Sequence, residues 1–243
     1  MYGHLFCRIY NEFGWNEYPR VFGETLVKRL ERDGAAVQSA LDLGCGTGVL
    51  CEVLHDHGIK TLGIDLSAEM IAIARERSPG LQYRIGDMLS LDADERFDLV
   101  TCTGDALNHI TDLDGIRRVF ANVLRALNPG GLFVFDLLKA DEVPLGEPFE
   151  APFADGLTVR FSAACDADGF TILAVDGFKD GKRAFSERIR EKVYDVSVIL
   201  AALREAGFDA LQCDDRLLPG DGHGATWFVI AKKGYDIDKR QRS

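Results

Sequence analysis

Two clusters in this chain carry residue types that can do chemistry. The first is Leu41-Asp42-Leu43-Gly44-Cys45-Gly46-Thr47-Gly48, an apolar strand-like run that ends in alternating glycines. Glycine accepts φ > 0 and has no Cβ, so the backbone of such a turn can approach a ligand closely. A helix that follows offers unpaired N–H groups and a positive dipole end, which suit a phosphate, a carboxylate or a ribose edge. Alone, the turn is also compatible with a purely structural role. Two acids narrow the reading. Asp65 closes the next strand-like run, Thr61–Asp65, where a carboxylate can accept both hydroxyl protons of a ribose. Asp87 follows Gly86 just past a third run, Leu81–Ile85, where an acid suits an adenine amino donor. The second cluster is the polar segment Thr101-Cys102-Thr103-Gly104-Asp105-Ala106-Leu107-Asn108-His109-Ile110, at the end of a fourth run, Phe97–Cys102. An unperturbed histidine titrates near neutrality, so His109 is the general-base candidate. Asp105 and Asn108 can orient a substrate amine or hydroxyl. For each of these three a capping or hydrogen-bonding role in the loop is the structural alternative.

The elements that position these residues follow from periodicity. Arg20–Arg32 has apolar residues at helical spacing. From Ala40 strands and helices alternate: Ala40–Leu43, a helix over Gly48–His57, Thr61–Asp65, and a helix N-capped by Ser67 and running to Arg77. Leu81–Ile85, Phe97–Cys102, a helix near Asp114–Ala126 and a strand over Leu132–Leu137 complete the series, with Asn128-Pro129-Gly130-Gly131 as the break before the fifth strand. Such alternation means a parallel sheet covered on both faces, with ligands at the carboxyl ends of its strands. After Leu137 the rhythm changes. Leu157–Cys165, Phe170–Phe178 and Ala184–Tyr194 are three strand-like runs joined by Asp166-Ala167-Asp168-Gly169 and Asp180-Gly181-Lys182, both good hairpin chemistry. A helix at Val196–Glu205 and two strands, Phe208–Asp214 and Thr226–Ala231, end the pattern. On the inserted strands, Arg188 and Arg190 share one face and can meet an anionic substrate or solvent. His223, in the last loop, is a candidate for the pocket edge.

Composition excludes several classes. A length of 243 residues suits one α/β domain. The formal charge of −11 argues against nucleic acid as a partner, because phosphate neutralisation needs a basic face. The basic C-terminal end reads as a solvated tail. No apolar run reaches the roughly 18 residues of a membrane helix, and the first residues lack the basic and apolar pattern of a signal peptide, so none is expected. The six cysteines form no C-x-x-C pair, so neither zinc nor a redox motif has support and a reducing cytoplasm is expected.

Taken together the motifs resemble those of class I S-adenosylmethionine-dependent methyltransferases. Leu41–Gly48 resembles the first motif of that family, Ile64-Asp65-Leu66-Ser67 with Met70 the second, Gly86-Asp87-Met88 the third, Phe97-Asp98-Leu99-Val100 the fourth, and Leu127-Asn128-Pro129-Gly130-Gly131 the approach to its fifth strand. The resemblance implies an α/β, Rossmann-like seven-stranded sheet whose last strand is antiparallel, with an inserted antiparallel sheet after strand five. One domain is expected over 1–243, with an N-terminal lid and helix at 1–32, a cofactor core at 38–137, the insert at 145–194 and a C-terminal helix and strand pair at 195–232. It implies S-adenosylmethionine as cofactor, with Gly44, Cys45 and Gly46 at the methionine moiety, Asp65 at the ribose, and Asp87 and Met88 at the adenine. Leu66, Met70, Gly86 and Thr103 belong to the same set. Tyr10-Asn11, Trp15, Tyr18 and Arg20 resemble an aromatic lid found in small-molecule N-methyltransferases, including those acting on amino sugars. Tyr10 then joins His109 as a catalytic candidate, and Trp15 and Arg20 join the cofactor set. The usual residue after the tyrosine is Asp, and here it is Asn11.

The expected activity is methyl transfer to a small-molecule acceptor, nitrogen slightly ahead of oxygen, without metal, nucleic acid or membrane, with the insert serving as substrate roof, homodimer contact or both. Three rivals stand beside it. A nicotinamide dehydrogenase needs a second strand–helix half where this chain enters hairpins. A nucleic-acid methyltransferase is disfavoured by charge. A non-catalytic regulator would keep the Asp65 site and have a blocked acceptor pocket.

Overall fold

The computed structural model describes residues 4–91, 95–139, 147–166, 168–217 and 226–235. Its main sheet begins with β1 (Ser39–Leu43), β2 (Lys60–Asp65), β3 (Gln82–Ile85), β4 (Phe97–Cys102) and β5 (Leu127–Leu138). A second sheet follows, of β6 (Phe149–Phe153), β7 (Leu157–Cys165), β8 (Phe170–Lys179) and β9 (Lys182–Lys192), before β10 (Phe208–Asp214) and β11 (Thr226–Lys233) return to the first. The seven-stranded sheet has the order β10-β11-β5-β4-β1-β2-β3. β1, β2, β3, β4 and β5 pair in parallel, and β11 runs antiparallel to both β5 and β10. The last strand is therefore reversed, as expected. The chain runs outward from β1 to β2 and β3, then crosses to β4 on the other side of β1. That reversal leaves a crevice above the carboxyl ends of β1 and β4.

Helices cover both faces. α2 (Glu17–Arg32) and α3 (Val49–Asp56) press Phe22, Leu26, Leu50 and Leu54 onto one side. α5 (Leu113–Ala126) and α6 (Val196–Ala206) press Ile116, Phe120 and Ile199 onto Phe133, Phe135 and Leu137 on the other. Burial on both faces explains the unbroken apolar runs of the central strands. Local chemistry sets the helix ends. The Ser67 hydroxyl accepts from the Met70 N–H (3.3 Å) at the start of α4 (Ala68–Arg77), as its sequence position predicts. Gly207, at φ 105°, closes α6 in the left-handed region. α1 (His4–Glu12) lies under the second sheet, where Phe6 and Ile9 meet Val159, Phe161, Val175 and Ile189.

Two expectations need correction. The insert has four strands rather than three. β6 was hidden because it is an edge strand containing Pro152 and leaves Phe149, Glu150 and Pro152 exposed. An edge position tolerates a missing N–H and needs no apolar alternation. The fifth strand starts at Leu127, not Leu132. Phe97 pairs with Leu127 and Leu99 with Leu132, so Asn-Pro-Gly-Gly forms a bulge inside the strand rather than a break before it. Among the described residues no helix is long and apolar enough to cross a membrane.

The glycine turn supplies a stability test. Gly48 sits at φ 81°, and a Cβ there would lie 2.5 Å from the hydroxyl of buried Tyr83. Backbone strain and overpacking together predict that Gly48→Ala loses about 2–4 kcal/mol in urea unfolding.

Candidate active site

A cleft of about 470 Å³ opens above the carboxyl ends of β1, β2 and β4. Its floor is the glycine turn. Gly44 and Gly46 have φ of 68° and 53°, which β-carbon-bearing residues rarely adopt. The Gly44 and Cys45 N–H groups donate to the Ile64 carbonyl (2.8 and 3.1 Å), fastening the turn to β2. Asp65 tightens the same joint. One carboxylate oxygen accepts from the Gly46 N–H (2.8 Å), the other from the Ser67 N–H (2.8 Å). A carboxylate can accept about four hydrogen bonds, so two acceptor positions remain for a ligand diol. Burial pushes the Asp65 carboxyl above its ordinary value, and the two N–H groups oppose that shift.

Leu66, Met70, Gly86, Asp87 and Met88 continue the wall. Leu66 is an exposed apolar side chain at the cleft's rim, whereas Met70 is buried. Asp87 Oδ1 accepts from the Leu89 N–H (2.8 Å) and so fixes a 3-10 turn at Met88–Ser90. This set fits the flat face and polar edge of a nucleobase beside the Asp65 diol site.

The lid is bolted at two points. The Thr47 hydroxyl on the glycine turn donates to Asn11 Oδ1 (3.1 Å), which ties α1 to the floor. The accepting oxygen is one that Asp also has, so Asn11 keeps this contact despite departing from the usual residue. The Tyr18 hydroxyl donates to Asp136 Oδ2 (2.5 Å) and ties α2 to the end of β5. Tyr10 lines the cleft, and burial followed by the charge of Asp105 raises its phenol. Trp15 does not line the cleft. It packs edge-on to Tyr10 (5.8 Å) and against Phe6 and Phe161, supporting Tyr10 from behind. Arg20 is also outside the lining. It is half-exposed and reaches Glu52 (3.9 Å), because its position on α2 faces α3 rather than the cleft.

On the acceptor side, Thr103 and His109 line the cleft. Asn108 does not. Fully buried, it donates from Nδ2 to the Lys192 carbonyl (2.8 Å) and accepts from the Leu138 N–H (3.3 Å), so its amide is consumed in joining the loop to β9 and β5. Asp105 is also outside the lining, at φ 60° in the left-handed region, and its Oδ1 is buried without a hydrogen-bond partner. Its backbone N–H and that of Gly104 donate to the Asp136 carboxylate (3.0 and 2.9 Å). Burial and then the neighbouring Asp136 raise the Asp105 carboxyl, and burial raises that of Asp136. Two buried carboxyls this close retain a proton between them rather than both ionising. Burial pulls His109 down to about 4 and pushes Glu191, whose Oε1 is 3.6 Å from His109 Nε2, up to about 7.

The second sheet roofs the cleft with β9. Strand alternation turns Glu187, Ile189 and Glu191 inward and Arg188 and Arg190 outward. The arginines share a face, as expected, but they meet acids of this chain. Arg188 donates twice to Asp176 (3.1 and 3.0 Å) and Arg190 donates to Asp166 (3.2 Å). Asp42, Asp65, Asp87 and Glu187 line the cleft, and so do Arg188 and Arg190, whose guanidinium groups are paired with acids of this chain. Cys102 is fully buried. His223 lies outside the described residues.

Sequence reading missed Asp42, Asp136, Glu187 and Glu191 as site residues. Each left a trace: an acid inside an apolar strand at Asp42 and Asp136, and the alternation Glu187-Arg188-Ile189-Arg190-Glu191 on β9. Asp42 accepts from the Thr101 hydroxyl (2.7 Å) and the Cys51 thiol (3.7 Å), and burial pushes it up to about 7.

The family described as "Methyltransferase domain" matches residues 40–131. A dTDP-4-amino-2,3,4,6-tetradeoxy-D-glucose N,N-dimethyltransferase of Saccharopolyspora spinosa is 38% identical over 99 residues, covering 41% of this chain and 40% of its own. A ubiquinone biosynthesis O-methyltransferase of Pseudomonas fluorescens is 32% identical over 115 residues, covering 45% of this chain and 48% of its own. The matches thus span about half or less of these curated relatives. Among solved structures, an S-adenosylmethionine-dependent methyltransferase of Clostridium acetobutylicum superposes with a TM-score of 0.78 at 26% identity, over 94% of this chain and 98% of its own.

Asp42 allows a pH test. Its folded carboxyl keeps a proton that the unfolded chain loses above its ordinary value of 3.8, so this group's contribution to stability is intact below about pH 4 and declines as pH rises towards about 7. Asn cannot titrate. Asp42→Asn should therefore gain stability relative to wild type as pH rises, by on the order of 4 kcal/mol at most. Urea unfolding at about pH 5 and about pH 8 measures the change, and a difference that stays constant would contradict it.

Proposed function

We infer that this chain, whose residues 40–131 match a methyltransferase-domain family, is a class I S-adenosylmethionine-dependent methyltransferase and methylates the amine of a small molecule. One observation carries the choice of acceptor: four acids, Asp42, Asp65, Asp87 and Glu187, line the cleft beside the glycine turn, while the two arginines that also line it are paired with Asp176 and Asp166. A cationic donor and an acceptor that arrives as an ammonium both gain from that field. Similarity to a sugar N,N-dimethyltransferase points the same way.

The residues present fit the cofactor. Gly44, Cys45 and Gly46 would receive its methionine end, Asp65 its ribose through the two open acceptor positions, and Leu66, Met70, Asp87 and Met88 its adenine. When bound, S-adenosylmethionine supplies a methyl carbon already activated by a positively charged sulfur. The protein's task is then orientation and exclusion of water. Tyr10 closes the cleft from above, held by Trp15 and by the Asn11–Thr47 bond. Its ring face offers cation–π attraction of about 0.5–2 kcal/mol. His109, in the wall, takes the proton the amine must shed.

A screen of amines, phenols and carboxylic acids for conversion of S-adenosylmethionine to S-adenosylhomocysteine tests the reading. Turnover is expected with amines, and turnover confined to phenols would overturn it. Asp65→Ala should weaken cofactor binding by about 1.5–3 kcal/mol by calorimetry. His109→Ala should lower turnover by on the order of 10²-fold and leave cofactor affinity nearly intact. Loss of cofactor binding in that variant would make His109 a structural or cofactor-facing residue.

A further inference from the structure

We propose that Glu191 is the terminal proton acceptor of this site: it stands behind His109 on the inner face of β9 and receives, through that imidazole, the proton an incoming ammonium must lose. The proposal rests on the amine reading above.

The pair is built rather than incidental. The Asn108 amide donates to the Lys192 carbonyl (2.8 Å), and the Tyr194 hydroxyl donates to the Ile110 carbonyl (2.6 Å). These two bonds join the residues on either side of His109 to those on the far side of Glu191, and so fix the loop against the strand. Between them, His109 Nε2 lies 3.6 Å from Glu191 Oε1, with the glutamate side chain only 15% exposed. That separation is one small side-chain adjustment from a hydrogen bond, and such bonds tighten when substrate arrives. His109 is in the cleft wall and Glu191 lies behind it, outside the lining. The glutamate therefore acts through the imidazole as a positioning and relay residue.

The chemistry needs the second group. An imidazole drawn down to about 4 by burial is a poor resting place for a proton from an alkyl ammonium. A carboxylate pushed up to about 7 holds it better. In the relay, the ammonium gives its proton to one ring nitrogen while Nε2–H passes to Glu191 Oε1. The amine becomes neutral with its lone pair free, Glu191 becomes a carboxylic acid, and His109 ends neutral in its other tautomer. Other ionisable groups surround the pair. Asp105, backed by Asp136, is on the loop, and the charge of Glu191 adds to the burial and the Asp136 charge that raise its carboxyl. Glu187 shares the inner face of β9, and Tyr10 reaches the cleft from α1. Lys192 is turned away onto the Asp168 carbonyl, and Thr171, opposite Glu191 on β8, does not ionise.

The test compares wild type with Glu191→Gln, an isosteric change, and with Glu191→Asp, both bound to S-adenosylhomocysteine. Imidazole nitrogen shifts of His109, read by NMR across pH, should report a titration near 7 in wild type that disappears in Glu191→Gln. Turnover on an amine should rise with pH through the same region in wild type and lose that limb in Glu191→Gln, with kcat down by on the order of 10²-fold and cofactor Kd unchanged. Glu191→Asp should recover part of kcat. Identical His109 titrations in wild type and Glu191→Gln, or an unchanged pH profile, would overturn the relay. A wild-type enzyme that methylates no amine would overturn the amine reading instead, while the imidazole titration still decides whether the two residues are coupled.

Discussion

One buried carboxylate holds the working parts together. Asp136, fully inaccessible at the end of β5, accepts from the Tyr18 hydroxyl, the Gly104 N–H and the Asp105 N–H. Those donors come from the lid and from the loop after β4. A charge-accepting group buried this deeply is costly unless its lone pairs are filled, so lid and loop must both be in place for the core to be satisfied. Within this arrangement Asp105 adopts a left-handed turn, and one of its oxygens is buried without a partner. The orphaned oxygen and the well-filled hub are two sides of one arrangement.

Acids accumulate in and behind the cleft. Asp42, Asp65, Asp105, Asp136 and Glu191 all have carboxyls raised by burial. Protonation lowers the cost of burying such groups, as with the proton that Asp105 and Asp136 retain between them. The outer face of the roof shows the contrast. There Arg188 and Arg190 are matched by Asp176 and Asp166.

Individual residues show where sequence reading reaches and where it stops. The places of Asp65, Gly44 and Gly46 at the cleft were legible because they depend on backbone geometry within a strand, turn and helix. Asp87 and Met88 followed from the same logic one strand further on. Asn108 and Trp15 were read as ligand-facing and are not, since their side chains are spent on contacts with β9 and with the aromatic cluster under the insert. Arg20 fell to helix phase, which turns it towards Glu52. β6 escaped notice because an edge strand with a proline carries no alternation to detect.

What the sequence by itself determined is whatever short-range chemistry encodes: the strand–glycine–helix turn, the acids at adjacent strand ends, the alternation that demands a parallel sheet, and the switch to hairpins after β5. What only the tertiary structure decided is which side chains meet across long separations. Tyr18 reaches Asp136, Asn11 reaches Thr47, and Glu191 stands behind His109. These pairs join a lid, a loop and a roof whose mutual placement depends on how three layers pack. Spacing along the chain records the phase of a single element, and these contacts depend on the relative position of several.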